Sequence, residues 1–287
     1  MIKMKLKKTT ELTNDQAIDN IYNILKEAMP EKDIKREPLK IKKVGHFGFI
    51  NPGMKDFGKA IVKLDKKIRT KADAIKNKPF ADIVDERYLD HQSDLYNKLS
   101  DWSRFTVIIP SYKSATYVVP YFLGKLGGQI GIHDREGYKA VHLHSNYKGI
   151  NFELQFHTIE HAKLKKATDY LYHDDEILVP KNSLIEEQNT ELENKINEYC
   201  QVVYQRSDFN QYLNDIVSAT EIYQARKPKQ VKQKLKHFTE IISRAEMVQT
   251  ELEGKLAEYL TELTKMCNTS LVKEKPNTDE TTKDAGL

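Results

Sequence analysis

The sequence predicts an α+β fold: a mixed β-sheet flanked by helices, followed by a C-terminal α-helical hairpin or coiled coil. Three observations predict it. Residues 137–158, GYKAVHLHSNYKGINFELQFHT, alternate apolar and polar side chains as a hairpin with two unlike faces does. Residues 105–109, FTVII, are rich in β-branched side chains and stop at Pro110, which marks a buried strand. Apolar residues at spacings of three and four surround these strands, and from about Ser183 they run for many turns.

The chain opens with a helix over 16–28, where Ile18, Ile21, Ile24 and Leu25 share a face. Asn14 or Asp15 is its expected N-cap and Pro30 ends it. Residues 34–50 read as strand or loop, and Asn51-Pro52-Gly53 as a turn. A very basic helix is expected over 54–76, with Phe57, Ile61, Leu64 and Ile68 inward. Lys55, Lys59, Lys63 and Lys67 recur along an adjacent line. Such a row repels itself by a few tenths of a kcal/mol per pair. It is either a solvated face or a phosphate-binding row, and its start near a helix N-terminus suits anions. Another helix is expected over 82–100, then Asp101 at the mouth of the FTVII strand. An acid there is a turn residue or a metal ligand.

Residues 112–126 read as a helix, with Pro120 either inside it or opening a shorter one. Gly127-Gly128 ends it, and QIGIHD forms a short strand before the hairpin. In the hairpin Val141 and Leu143 join Phe152, Leu154 and Phe156 on the oily face, leaving His142, His144, Glu153 and Gln155 opposite. The turn lies around Tyr147, Lys148 and Gly149. One centre sets His142 opposite Glu153; the other sets His144 opposite Glu153 and His142 opposite Gln155. A helix over 159–172 follows, carrying Glu160, His161, Lys163, Lys165 and Lys166.

Beyond it, Ile185, Leu192, Ile196, Tyr199 and Val203 form one stripe. A second long helix over 229–266 carries Leu235, Ile242, Leu252, Leu256, Leu260 and Leu263, after a break at Lys227-Pro228. The boundaries expected are 1–180 for the sheet domain, 181–267 for the helical region and 268–287 for a disordered tail.

Composition narrows the function classes. Of 287 residues 39% are hydrophobic and 31% charged, and no apolar run approaches a membrane span. The N-terminus is basic without an apolar core or cleavage site, which predicts no secretory signal and a cytoplasmic protein. Cys200 and Cys267 lack neighbouring ligands and read as reduced thiols. A net charge of +4 neither requires nor forbids a nucleic-acid partner. No GxxxxGK[ST], GxGxxG, HExxH or CxxC pattern occurs. Those absences leave open nucleotidyltransferases built on two carboxylates and a lysine-lined phosphate site.

Asp101 with RFTVI, then GYKAVHLH, then FELQFHT, resemble the synthetase domain of the RelA/SpoT alarmone synthetases, in particular short, single-domain, toxin-like or phage- or plasmid-borne members. The resemblance covers about 50–180. Gly137, Tyr138, Ala140, Val141 and His142 match one motif, and the run from Glu153 to Thr158 matches another. It implies a nucleotidyltransferase-like domain that moves the β,γ-pyrophosphate of ATP to the 3′-hydroxyl of a guanine nucleotide. Asp101 and Glu153 would be catalytic and hold Mg²⁺. Lys55, Lys59 and Lys63 would bind ATP. Tyr138 would stack on the acceptor base, with His142, Gln155 and Arg135 completing the acceptor site.

Three positions depart from the family pattern: Asp134 and His157 stand where it has cations, and Arg104 is displaced from the position of Thr106. Weaker cationic contacts point to tRNA as the other acceptor, or to an inactive relative that binds nucleotide or a partner. An antitoxin or a second copy through the C-terminal helices is the expected protein partner, and no membrane is.

Overall fold

The structure is a computed structural model that describes residues 11–30, 32–55, 99, 101–173, 183–224 and 238–273. Met54 and Lys55, the expected start of the basic helix, are not helical, and Met54 bridges Ser103 instead; the rest of that helix with Lys59 and Lys63, residues 82–98 and 100 of the next and the Lys227-Pro228 break lie outside the described residues, as do residues 274–287.

Helix α1 spans Asn14–Ala28. Its N-cap is Thr13, one residue before the expected Asn14 or Asp15. The Thr13 hydroxyl accepts from the Gln16 amide at 3.2 Å, and the Gln16 side chain accepts from the Thr13 amide at 2.9 Å. This capping box satisfies two of the helix's orphan donors, a better solution than either later residue has. Two short strands, β1 (Lys42–Val44) and β2 (Phe47–Ile50), resolve the ambiguous basic stretch. Strand β3 covers Ser103–Ile108. Helix α2 (Tyr112–Leu126) takes Pro120 into its interior rather than starting there. Its first amides are capped from a distance: Tyr112 and Lys113 each donate to the Asp208 carboxylate at 2.9 Å.

Strands β4 (Gln129–Arg135), β5 (Tyr138–Tyr147) and β6 (Ile150–His157) lead into helix α3 (Ile159–His173). Three further helices follow among the described residues: α4 (Ser183–Gln205), α5 (Phe209–Gln224) and α6 (Phe238–Lys273). Helix α5 was not legible in the sequence, and α6 carries through residues 268–273, where a disordered tail was expected.

The six strands form one mixed sheet in the order β1-β2-β3-β6-β5-β4. Only the β3–β6 pair is parallel. The β5–β6 loop is Lys148-Gly149, with φ of 50° and 84°. Two consecutive positive values suit a hairpin whose turn follows the strand twist, and glycine takes the second without strain. This centre selects one of the two registers: His144 faces Glu153 and His142 faces Gln155.

Two apolar cores lie on the two sides of the sheet. The larger joins Phe105, Val107, Leu143, Phe152, Leu154 and Phe156 to α2, α5 and α6. The smaller joins α1, α3 and α4 through Ile18, Ile21, Leu25, Leu164, Ile196 and Cys200. The apolar stripes behind the expected hairpin or coiled coil therefore face inward. Helix α4 packs on α1 and α3, and α6 packs on β1, β2, β3 and β6. Among the described residues no helix is long and apolar enough to cross a membrane.

Candidate active site

Strand parity assembles the site. Glu153 pairs with Arg104 on one side and His144 on the other; Gln155 pairs with Thr106 and His142. Directly paired residues share a face. That face therefore carries Arg104, Thr106, Glu153, Gln155, His142 and His144 across three strands. Arg104 and Thr106 are two apart, so the displaced arginine still presents to the same side.

Glu153 is buried and has polar neighbours on both oxygens. Gln155 Nε2 donates to Oε1, and Oε2 lies 3.3 Å from His142 Nδ1 and 3.6 Å from His144 Nδ1. Burial pushes this carboxyl up, but hydrogen bonding and charge from His142, with Gln155 and His144, outweigh it. The carboxyl is held below the ordinary range, so Glu153 is an anion. Tyr138 sends its hydroxyl into the same group, 2.8 Å from His142 Nε2 and 3.5 Å from His157 Nε2. Burial makes that hydroxyl a much weaker acid than an ordinary tyrosine, so it stays protonated.

Asp101 and Lys55 form a second group. Lys55 Nζ donates to Asp101 Oδ2 at 3.0 Å, with both side chains buried. The backbone sets this pair: Lys55 N–H donates to the Trp102 carbonyl at 3.0 Å, and Met54 bridges Ser103. Asp101 precedes Arg104, the strand neighbour of Glu153, by three residues, roughly 10 Å of extended chain.

A cleft of about 450 Å³ borders both groups. Its lining includes Lys55, Arg104, Thr106 and Gln155 from the sheet side, and Lys165, Lys166 and Asp169 from α3, with Glu37 and Lys40 at the rim. Five cations face two carboxylates there. Lys165 and Lys166 are themselves tied to Asp169 at 3.0 Å and Glu37 at 3.1 Å. The two α3 lysines and Lys40 were not singled out as site residues from the sequence, because only the packing of α3 beside β6 turns them inward.

The departures from the motif have visible consequences. Asp134 forms an ion pair with Lys139 and so neutralises a nearby cation. His157 is fully buried, and burial with the neighbouring His161 drives its protonation constant well below the ordinary value, so it is neutral. Arg135 is exposed at the end of β4, paired with Tyr138. Helix α4 fixes this corner: the Tyr204 hydroxyl donates to the Gly137 carbonyl and accepts from the Lys139 amide, each at 3.2 Å.

The structure also adds His133. Strand β4 pairs Gly131 with His142 and His133 with Ala140, so His133 stands on the same face. Its ring centroid is 4.2 Å from that of His142. Burial, then the nearby His142, pushes its protonation down to about 4. A turn placed at Glu136-Gly137 in the sequence would have predicted this neighbour.

No family model matches the chain, and no curated protein sequence does. Among solved structures, one similar chain belongs to the complex between the Type VI effector Tas1 and its immunity protein. It is 18% identical, with 66% of this chain and 97% of that chain covered and a TM-score of 0.32. Another is a GTP pyrophosphokinase family protein from Streptococcus pneumoniae, 15% identical, covering 75% of this chain and 95% of that chain, again at a TM-score of 0.32. Both scores are low, and the functional reading rests on the residues and their geometry.

Proposed function

We propose that this protein is an ATP-dependent pyrophosphotransferase of the RelA/SpoT type. The observation that carries the reading is the cation-lined cleft, which joins the Lys55–Asp101 pair to the Glu153–Gln155 face. A polyphosphate needs clustered cations, and transfer of a phosphoryl-type group depends on charge neutralisation and positioning.

In the reaction, the acceptor 3′-oxygen bonds to the β-phosphorus of ATP. The bond from that phosphorus to the α,β-bridging oxygen breaks, and AMP leaves with the electron pair. The hydroxyl proton passes to the His142–Glu153 pair. Glu153 alone is a poor base, because its carboxyl is held below the ordinary range; beside an imidazole 3.3 Å away it stabilises the protonated ring. Lys55, Arg104, Lys165 and Lys166 neutralise phosphates, with Lys59 and Lys63 continuing the row. Tyr138 offers its ring to the acceptor base, and Gln155 and Arg135 orient the acceptor.

Mg²⁺ is the cation this chemistry uses, and the donor set suits it, since Asp101 and Glu153 supply hard carboxylate oxygens. When bound, it neutralises charge growing on the phosphate oxygens. Asp101 and Glu153 would hold the ion, and Lys55, beside Asp101, would add its charge to the neutralisation of the phosphates.

The acceptor is a guanine nucleotide, with tRNA as the second reading. Two observations favour the second: the Asp134–Lys139 pair and the neutral His157 remove cations from the side where acceptor phosphates would sit. The test is transfer of label from γ-labelled ATP with Mg²⁺ to GDP, GTP or tRNA. We expect one acceptor to be labelled, and Glu153→Gln to lower the rate by at least about a hundredfold. Equal behaviour of wild type and Glu153→Gln in every mixture would overturn the reaction.

A further inference from the structure

We propose that His133, His142 and His144, with the Glu153 carboxylate beside them, form a binding site for a borderline divalent transition-metal cation, with Zn²⁺ as the occupant. One nitrogen from each imidazole lies within 4.8 Å of the others. The Glu153 Oε2 atom is 3.3 Å from His142 Nδ1 and 3.6 Å from His144 Nδ1. The four residues come from three adjacent strands, so the backbone already holds them in one patch.

Gly131 supplies a further observation. It pairs with His142, and a Cβ built on it would stand 3.5 Å from His144 Nε2 and 3.7 Å from His133 Nε2. A Cβ there would stand in ordinary van der Waals contact with both rings, so Gly131 sets His133 and His144 side by side. Tetrahedral zinc with bonds of about 2.0–2.1 Å sets its ligand nitrogens about 3.4 Å apart, a closure of roughly 1 Å that side-chain rotation supplies. The Tyr138 hydroxyl, 2.8 Å from His142 Nε2, fixes that ring with its Nδ1 toward Glu153, the outer-sphere contact metal-bound histidines use. Imidazole nitrogens select zinc-like cations, whereas Mg²⁺ prefers oxygen.

The site draws Glu153 and His142 from the transfer centre proposed above, so a bound Zn²⁺ and transfer exclude one another. Zinc binding itself does not depend on that reaction. The experiment uses the untagged full-length chain, stripped with a chelator. It is titrated calorimetrically with Zn²⁺, and with Co²⁺ followed by visible absorption. We expect one equivalent of Zn²⁺ to bind in excess Mg²⁺, with the intense Co²⁺ band of tetrahedral coordination. His133→Ala and His144→Ala should each weaken binding by at least about tenfold and lose the band, whereas Tyr138→Phe should weaken it by about tenfold and keep the band. Circular dichroism checks folding, with His133→Asn and His144→Gln as replacements for a variant that fails. No stoichiometric binding, or folded His133 and His144 variants that bind as tightly as wild type, would overturn the site. A chain that binds Zn²⁺ without transferring label sinks the reaction alone; one that transfers label without binding Zn²⁺ sinks the metal site alone.

Discussion

The two faces of the central sheet carry opposite chemistry, and the apolar one is buried more completely. On one, Phe105, Val107, Leu143, Phe152, Leu154 and Phe156 are fully buried against α2, α5 and α6. On the other, the same strands bury His142, Glu153 and Gln155, each less than a tenth exposed. Apolar burial stabilises by about 25 cal/mol per Å² and requires no partner. A polar group taken from water costs about 2–7 kcal/mol unless it is bonded. The second face meets part of that requirement within itself, through the Glu153–Gln155 and Tyr138–His142 contacts. Packing alone is easier with leucine, which makes this face the candidate site.

The sharpest way to break this comparison is to cut both faces equally. Phe156→Ala should cost about 3–5 kcal/mol in urea unfolding, from lost contacts and the cavity left behind. Glu153→Gln should cost about 1 kcal/mol, as it keeps the shape and hydrogen-bonding capacity. Equal losses would make the polar face a structural device.

Next in size is the Lys55–Asp101 pair. Lys55→Met strands a buried carboxylate and should cost about 3 kcal/mol. The double variant with Asp101→Asn should recover most of that, because no charge is left without its partner. A double variant as unstable as the single one would show that the pair is not the coupled unit its geometry indicates.

Acid offers a further effect. His161 is buried, with Tyr112 Oη 2.8 Å from its Nδ1, and burial lowers its protonation to about 4 from an ordinary 6.5. A base whose folded value is depressed is protonated first in the unfolded chain, so its contribution is complete above pH 6.5 and is lost as pH falls toward 4. At pH 5 this amounts to about 2 kcal/mol relative to neutral pH. His157 acts in the same direction. Urea unfolding at pH 7.5 and pH 5 measures the loss, which should shrink in His161→Phe. A pH-independent stability over that window would contradict neutral burial of these rings.

Much of the site was legible because strand geometry is local. Alternation in residues 138–157 assigns His142, His144, Glu153 and Gln155 to one face in either register. The left-handed Lys148-Gly149 turn then chooses between the registers. The span from Gly131 to His144 also contains a hairpin, but no strong turn signal marks Glu136-Gly137, so His133 went unrecognised. Pro120 left two helix starts open for a related reason: proline disfavours a helix interior locally, and the packing of Val118, Val119 and Phe122 into the core overrides that preference.

By itself, the sequence determined the α+β class and the identity of the two hairpin faces, since each follows from periodicity within one strand or helix. Only the tertiary structure decided that β3 runs parallel beside β6, that Lys55 meets Asp101, that the α3 lysines wall the cleft and that the C-terminal helices complete the cores. Those outcomes join segments about 50 or more residues apart. Which distant partner wins depends on the free energy of the whole packed arrangement, and no local pattern records it.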